Sequence, residues 1–111
     1  MKAQTFTSPS DPTKTRVALV FGDQKINLHE KDMQVTPLAQ HPRPGSTDLC
    51  LWTDQPVADC ILPHWLAMGG DPLKLEGGNF VVQRTGAHGP LTSVYIYDPD
   101  GNLIEVANRS C

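Results

Sequence analysis

The stretch SVYIYDPDGNLIEV, from Ser93 to Val106, constrains the fold most, because it predicts two strands joined by a sharp turn. In the turn DPDG, Pro99 presets one backbone angle and Gly101 can take the positive φ needed at the exit. Along the second strand, alternation places Leu103 and Glu105 on the same face of the sheet. A carboxylate buried there is unfavourable unless it is paired or bound to a metal, so Glu105 demands an explanation.

Composition excludes several classes of protein. The 111 residues suffice for one small domain, and the net charge of −3 gives no reason to expect a nucleic-acid partner. No apolar run approaches the ~20 residues of a membrane span, and the N-terminus lacks the apolar segment of a secretory signal. Three cysteines at irregular spacing suit a reducing compartment. We therefore expect a cytoplasmic globular protein with neither a nucleic-acid nor a membrane partner.

The first half of the chain predicts few regular elements. Residues 1–15 lack a hydrophobic period and predict a disordered tail. A β-branched run over 16–22 and a second strand over 25–30, separated by a short interruption, predict a hairpin. Residues 31–47 hold three prolines and read as a connecting loop, and a further strand is expected over 48–53.

A change of period follows. Residues 54–70 show helical spacing, with Asp54 as a candidate cap and Pro56 suited to the first turn. Pro63 lies inside the pattern and predicts a kinked helix or two short ones. Cys50 and Cys60 read as small buried residues. With a strand in FVVQRTG and the final hairpin, the order after residue 48 is strand, helix and three strands, and the two earlier strands look like the end of an incomplete second copy.

Four stretches, ALVFGDQKINLHE, PGSTDLCLWT, RTGAHGP and SVYIYDPDGNLIEV, resemble the vicinal oxygen chelate superfamily, which has the glyoxalase and bleomycin-resistance fold. Within it they are similar to virulence-associated glyoxalase-like proteins and glyoxalase-domain-containing proteins. The resemblance implies an α+β fold in which two βαβββ modules form a half-open barrel around a divalent metal and a small substrate. We expect one glyoxalase-like domain over residues 16–111, with a remnant of the first module at 16–30 and a complete second module at 48–108.

The first strand and helix of the first module are not found before Arg16. A strand–helix–strand unit takes about 30 residues, whereas fifteen precede Arg16. Three interpretations stay open: a shortened gene product or gene model, a fragment, or a partner chain that supplies the surface. The uncovered sheet predicts exposed apolar surface and self-association, with a homodimer as the expected form.

The resemblance implies metal ligands on the first and last strands of each module. By position it assigns Asp48 and Glu105 in the second module and Asn27 in the first, with His29 two residues later on the same face. The expected metal ligands are therefore His29, Asp48 and Glu105, which suit Zn²⁺, Ni²⁺, Mn²⁺, Fe²⁺ or Mg²⁺ without choosing among them. The alternatives are strand carboxylates turned to water and a structural histidine.

Substrate contacts are assigned in the same way. Tyr95 lies ten residues before Glu105, where the resemblance to fosfomycin-resistance enzymes places a tyrosine that contacts substrate, and Ser93 lies two residues earlier. Glu105 and Tyr95 are the candidate catalytic residues, and Asn27, Ser93 and Arg84 are candidates for binding substrate. The alternatives are an ordinary strand tyrosine and a solvated arginine.

The expected function is that of a metal-dependent enzyme acting on a small oxygenated molecule, either a lyase similar to lactoylglutathione lyase or a dioxygenase. The metal would polarise vicinal substrate oxygens. Two alternatives remain: a metal-free protein that binds a small ligand, as in the bleomycin-resistance members, and an inactive interaction subunit. The fold alone does not choose among them.

Overall fold

A computed structural model describes residues 1–8, 11–22, 24–30, 37–86 and 89–109. Part of the predicted loop over residues 31–47 lies outside these ranges, as do His88 and Cys111. The strands are β1 Lys2–Ser8, β2 Asp11–Phe21, β3 Gln24–Leu28, β4 Asp48–Trp52, β5 Val82–Gly86, β6 Gly89–Tyr97 and β7 Leu103–Arg109. Between β4 and β5 lie a π-helical turn, Val57–Ile61, the helix α1, Leu62–Ala67, and a 3₁₀ turn, Glu76–Gly78.

The strands form one curled sheet in the order β1-β2-β3-β4-β7-β6-β5. β4 and β7 are parallel, and the other neighbouring strands pair antiparallel. The strand, helix and three strands predicted after residue 48 are all present, so the α+β half-barrel architecture is confirmed. The division of the chain into a remnant module and a complete module stays a prediction.

The N-terminus differs from the sequence prediction. In place of a disordered tail over residues 1–15, β1 pairs with β2 from Lys2 opposite Val20 to Thr7 opposite Thr15. The prediction failed because it relied on a hydrophobic period, whereas backbone hydrogen bonds and β-branched threonines can hold a strand at the edge of a sheet. Three strands therefore precede β4, where the sequence predicted two.

The predicted helix forms a π-helical turn that continues directly into α1, since Ile61 and Leu62 at the junction both have right-handed helical backbone angles. Pro63 lies in the first turn of α1, where its missing N–H is tolerated. The π-helical turn begins after Pro56, so Asp54 is not its cap as predicted. Val57 is fully buried, and its N–H donates to Asn108 Oδ1 on β7 at 2.9 Å, which fixes the start of the helical segment against the sheet.

Alternation divides the sheet into two faces. The site face is the face that carries Glu105, and it also holds the buried side chains of Ala18, Cys50, Tyr95 and Leu103. On the opposite face, the helical segment, which comprises the turn Val57–Ile61 and α1, packs against β6 and β7 through that turn. Within the described residues, no helix is long and apolar enough to cross a membrane.

The opposite face of β2, β3 and β4 exposes apolar side chains. Val17, Phe21, Leu28 and Leu51 are 36–41% exposed. This is the uncovered apolar surface that the sequence predicts. The homodimer stays a prediction, which sedimentation over a range of protein concentrations would test.

The contact between β3 and β4 is short. Two backbone positions are paired, Lys25 with Cys50 and Ile26 with Leu49. Beyond them, the Gln24 side-chain amide accepts from Trp52 N and donates to Trp52 O at 3.0 Å. A side chain thus extends the ladder where backbone pairing ends.

The final hairpin has the predicted turn. Gly101 has a φ of +82°, and its N–H donates to Asp98 O at 3.0 Å. Gln40 N donates to Gly101 O at 2.9 Å, and a Cβ at Gly101 would lie 2.9 Å from Gln40 Oε1. Glycine is therefore required both by the backbone angle and by the close approach of the Gln40 segment.

Candidate functional site

Glu105 points into the site face, as alternation predicts. Its cross-strand partners are Cys50 on β4 and Tyr95 on β6. The residue is 7% exposed, and the fully buried Ser93 donates from Oγ to Glu105 Oε1 at 2.7 Å. A short hydrogen bond to a carboxylate is among the stronger ones in proteins, so Ser93 partly offsets the cost of burying this charge.

Asp48 lies at the start of β4 beside two other predicted site residues. Asn27 Nδ2 donates to Asp48 Oδ1 at 3.1 Å, and His29 Nδ1 lies 3.5 Å from Asp48 Oδ2. Burial raises the pKa of Asp48 most; Asn27 and His29 lower it, and the nearby charge of Glu105 raises it. The fold thus brings Asn27, His29 and Asp48 together, although β3 itself ends at Leu28.

Tyr95, on β6 directly across from Glu105, is bound by Arg84 of β5. Arg84 Nε donates to Tyr95 Oη at 3.2 Å, and the guanidinium carbon lies 5.6 Å from the centre of the tyrosine ring. Burial raises the pKa of Tyr95, and the charge of Glu105 raises it further, so the phenol stays neutral. Arg84 is only partly exposed, and its Nη2 also donates to Glu76 Oε1 at 2.9 Å.

The sequence interpretation missed three residues near these groups. Lys25 is the cross-strand partner of Cys50, and alternation in KINLH places it on the same face as Asn27. That alternation was a usable signal. No sequence signal marks Glu76, which reaches Arg84 from the 3₁₀ turn. Trp52 shares the face with Cys50, and its ring is 5.6 Å from the guanidinium carbon of Arg109.

Of the two described cysteines, one is buried and one is exposed. Cys50 is buried, as predicted, and burial together with the charge of Glu105 raises the pKa of its thiol. Cys60 is exposed, contrary to the prediction. The reason is its place in the helical segment, where Val57 is the buried residue of the turn.

The candidate ligands fit a divalent ion in their chemistry. Two carboxylates and an imidazole are donors that such ions accept. Among the residues that the structure describes, however, no three His, Cys, Asp or Glu side chains lie close enough together to hold one ion. His29 and Asp48 form a pair, and Glu105 is bonded separately to Ser93.

Over the described residues, the curled seven-strand sheet with one short helix matches a glyoxalase-like fold, and its site face buries two carboxylates and a phenol. The chain is 47% identical over 94 residues to the virulence protein STM3117 of Salmonella typhimurium and 43% identical over 96 residues to the glyoxalase domain-containing protein RDO1 of Mycosarcoma maydis. These matches cover 85% and 84% of the chain but only 61% and 49% of the relatives. The chain therefore spans about half to three-fifths of their length.

Two solved structures have folds similar to that of this chain. The crystal structure of STM3117 aligns with a TM-score of 0.52 at 42% identity, over 96% of this chain and 76% of that one. An integron cassette protein of V. cholerae aligns with a TM-score of 0.51 at 41% identity, over 97% of this chain and 77% of the other. No family model matches the chain. On these similarities, the chain belongs to the vicinal oxygen chelate superfamily.

Proposed function

We propose that the site face binds a divalent metal through Glu105, Asp48 and His29, and that the whole protein is a lyase or dioxygenase acting on a small oxygenated substrate. The observation that carries the proposal is the burial of two carboxylates, 7% and 9% exposed, on adjacent strands of the same face. Burial and the nearby charge of Glu105 both raise the pKa of Asp48, so the charged form of Asp48 is disfavoured there. A cation between the two carboxylates would remove that cost.

The geometry of His29 and Asp48 supports this assignment. Their facing atoms are 3.5 Å apart, and the imidazole lies beside an acid whose burial disfavours its charge. Glu105 would have to release its hydrogen bond from Ser93 to join them. A bound divalent ion would act as a Lewis acid on vicinal substrate oxygens.

Tyr95 would orient the substrate. Its oxygen already accepts a hydrogen bond from Arg84, and its raised pKa keeps the hydroxyl protonated. The hydroxyl also forms a hydrogen bond with Glu105, so a substrate oxygen would accept that hydrogen bond in place of the carboxylate. Asn27 and Ser93 would contribute an amide and a hydroxyl on either side of the two carboxylates.

Metal analysis tests the proposal. The protein is incubated separately with Zn²⁺, Ni²⁺, Mn²⁺, Fe²⁺ and Mg²⁺, dialysed and assayed for retained metal. We expect Glu105→Gln, which removes one charge with little change of shape, to lose the metal, whereas Asp59→Asn on the exposed helical turn retains it. Equal metal content in Glu105→Gln and the unaltered protein would rule out the site.

A second candidate function is metal-free binding of a small ligand. It is favoured by the contacts already present: Ser93 donates a hydrogen bond to Glu105, Asn27 donates one to Asp48, and His29 Nδ1 lies 3.5 Å from Asp48 Oδ2. The described residues also place no three candidate ligands within reach of one ion. A protein of this kind would be stabilised by its ligand in a thermal-shift screen run with chelator present.

A further inference from the structure

The strand residues of the site face carry a net charge opposite in sign to that of the chain. The whole sequence carries a net charge of −3. Among the described strand residues, the cross-strand register places five basic side chains on this face and two carboxylates, Asp48 and Glu105. The basic residues are Lys2, Arg16, Lys25, Arg84 and Arg109. A surface with an excess of one sign of charge attracts ligands of the opposite sign.

Arg84 is the basic residue best placed to bind such a ligand. Its side chain is 25% exposed and donates to Tyr95, which lies directly across the strand pair from Glu105. Arg84 Nε and Nη1 already donate to Tyr95 Oη and Gln83 O. A carboxylate or phosphonate would bind through Nη2, the nitrogen that Glu76 holds. An acidic group bound to Arg84 would therefore place the rest of a ligand over Tyr95 and Glu105.

An acidic group already lies on Arg84. Glu76 Oε1 accepts from Arg84 Nη2 at 2.9 Å, yet the Glu76 side chain is 64% exposed. The residue opens a turn in which Gly77 and Gly78 have φ values of +68° and +75°. An exposed ion pair of this kind contributes little to stability. It can therefore be broken by a ligand that offers Arg84 a better partner.

We propose that the ligand of the site face is a small acidic molecule whose carboxylate or phosphonate displaces Glu76 from Arg84. This inference rests on the proposed function in that it names the substrate class for the same site. Glu76 is the resident counter-ion of Arg84 in the ligand-free protein. The competing interpretation is that Glu76 positions Arg84 for the ligand, and the two interpretations predict opposite effects of removing its charge.

A titration of the full chain followed by nuclear magnetic resonance distinguishes them. Methylphosphonate and acetate are added separately, with chloride at equal ionic strength as the control, while the Arg84 Nε–H resonance and the backbone amide resonances of β5 and β6 are recorded; the amide resonances report binding in the Arg84→Gln variant. Displacement predicts that Glu76→Gln binds methylphosphonate or acetate about two- to fivefold more tightly than the unaltered protein, the range expected when an exposed ion pair no longer competes. Asp59→Asn removes the same charge from the opposite face and should leave the affinity unchanged. Arg84→Gln should abolish binding.

Several outcomes would overturn the inference. Unchanged or weaker binding by Glu76→Gln would refute displacement, and an Arg84 resonance that responds to chloride as it does to both acids would refute an acidic ligand. Stronger binding of methylphosphonate than of acetate identifies the phosphonate as the preferred group, and the reverse identifies the carboxylate. The titration is run with chelator, so the metal assay on Glu105→Gln can fail while this one succeeds, or the reverse.

Discussion

Replacing Ser93 with alanine should destabilise the protein by about 2 kcal/mol at neutral pH. The Ser93 hydroxyl donates to Glu105 at 2.7 Å, and the two residues are 0% and 7% exposed, so water cannot easily replace the lost donor. A hydrogen bond to a charged group contributes about 1.5–3 kcal/mol. For a domain of this size, the change corresponds to a fall in Tm of about 4 °C per kcal/mol.

Urea unfolding in two backgrounds measures the part that depends on charge. In a Glu105→Gln background the lost bond is neutral, so Ser93→Ala should cost only about 1 kcal/mol. Ser46→Ala is the control, because Ser46 is half-buried and its hydroxyl bonds to the uncharged backbone of Arg43 in an exposed turn. Equal costs of Ser93→Ala in both backgrounds would show that Glu105 does not depend on Ser93 as a charged partner, and the account of its burial would be wrong.

Three further predictions follow from burial and backbone geometry. Burial raises the pKa of Asp48 above its ordinary 3.8, so its contribution to stability is full below pH 3.8 and is lost as the pH rises through the folded-state pKa. As the pH rises from 3.8 through that pKa, the free energy of unfolding should fall less in Asp48→Asn than in the unaltered protein. Parallel curves for the two proteins would contradict a raised pKa. Peptide mapping after iodoacetamide should find Cys60 labelled and Cys50 protected, since only the former is exposed; equal labelling would place Cys50 at the surface. Gly101→Ala and Gly45→Ala both put a Cβ at positive φ, which costs about 1–2 kcal/mol. Of the two, Gly101 alone would bring that Cβ to 2.9 Å from a side-chain oxygen, so Gly101→Ala should be the less stable in urea unfolding. Equal stability would show that the Gln40 side chain moves away at little cost.

The strands after residue 48 could be predicted because their β-branched runs and glycine turns agree locally with the fold. The direction of Glu105 could be predicted for the same reason, since period-two alternation leaves no choice once Leu103 is buried. The strand β1 could not, because its pairing with β2 is decided by backbone hydrogen bonds at an edge and not by apolar spacing.

The site was only partly readable for a different reason. Lys25 could have been found by extending the alternation through Asn27, but the partner of Arg84 could not. Glu76 reaches it through a turn that two glycines at positive φ shape, and no periodic pattern describes such a turn. Contacts of this kind depend on loop conformation, which the sequence specifies weakly.

The brief β3–β4 pairing makes the site a seam between two parts of the sheet. Asn27 lies in β3 and His29 directly after it, on one side of that seam. Asp48 in β4 and Glu105 in β7 lie on the other side. Transient separation of β3 from β4 would move the Asn27 amide and the His29 imidazole away from the two carboxylates. A ligand that contacts both strands would oppose this separation. Deuterium uptake at the amides of β3 should then slow when the site is filled, so occupancy would be felt as rigidity well beyond the atoms that touch the ligand.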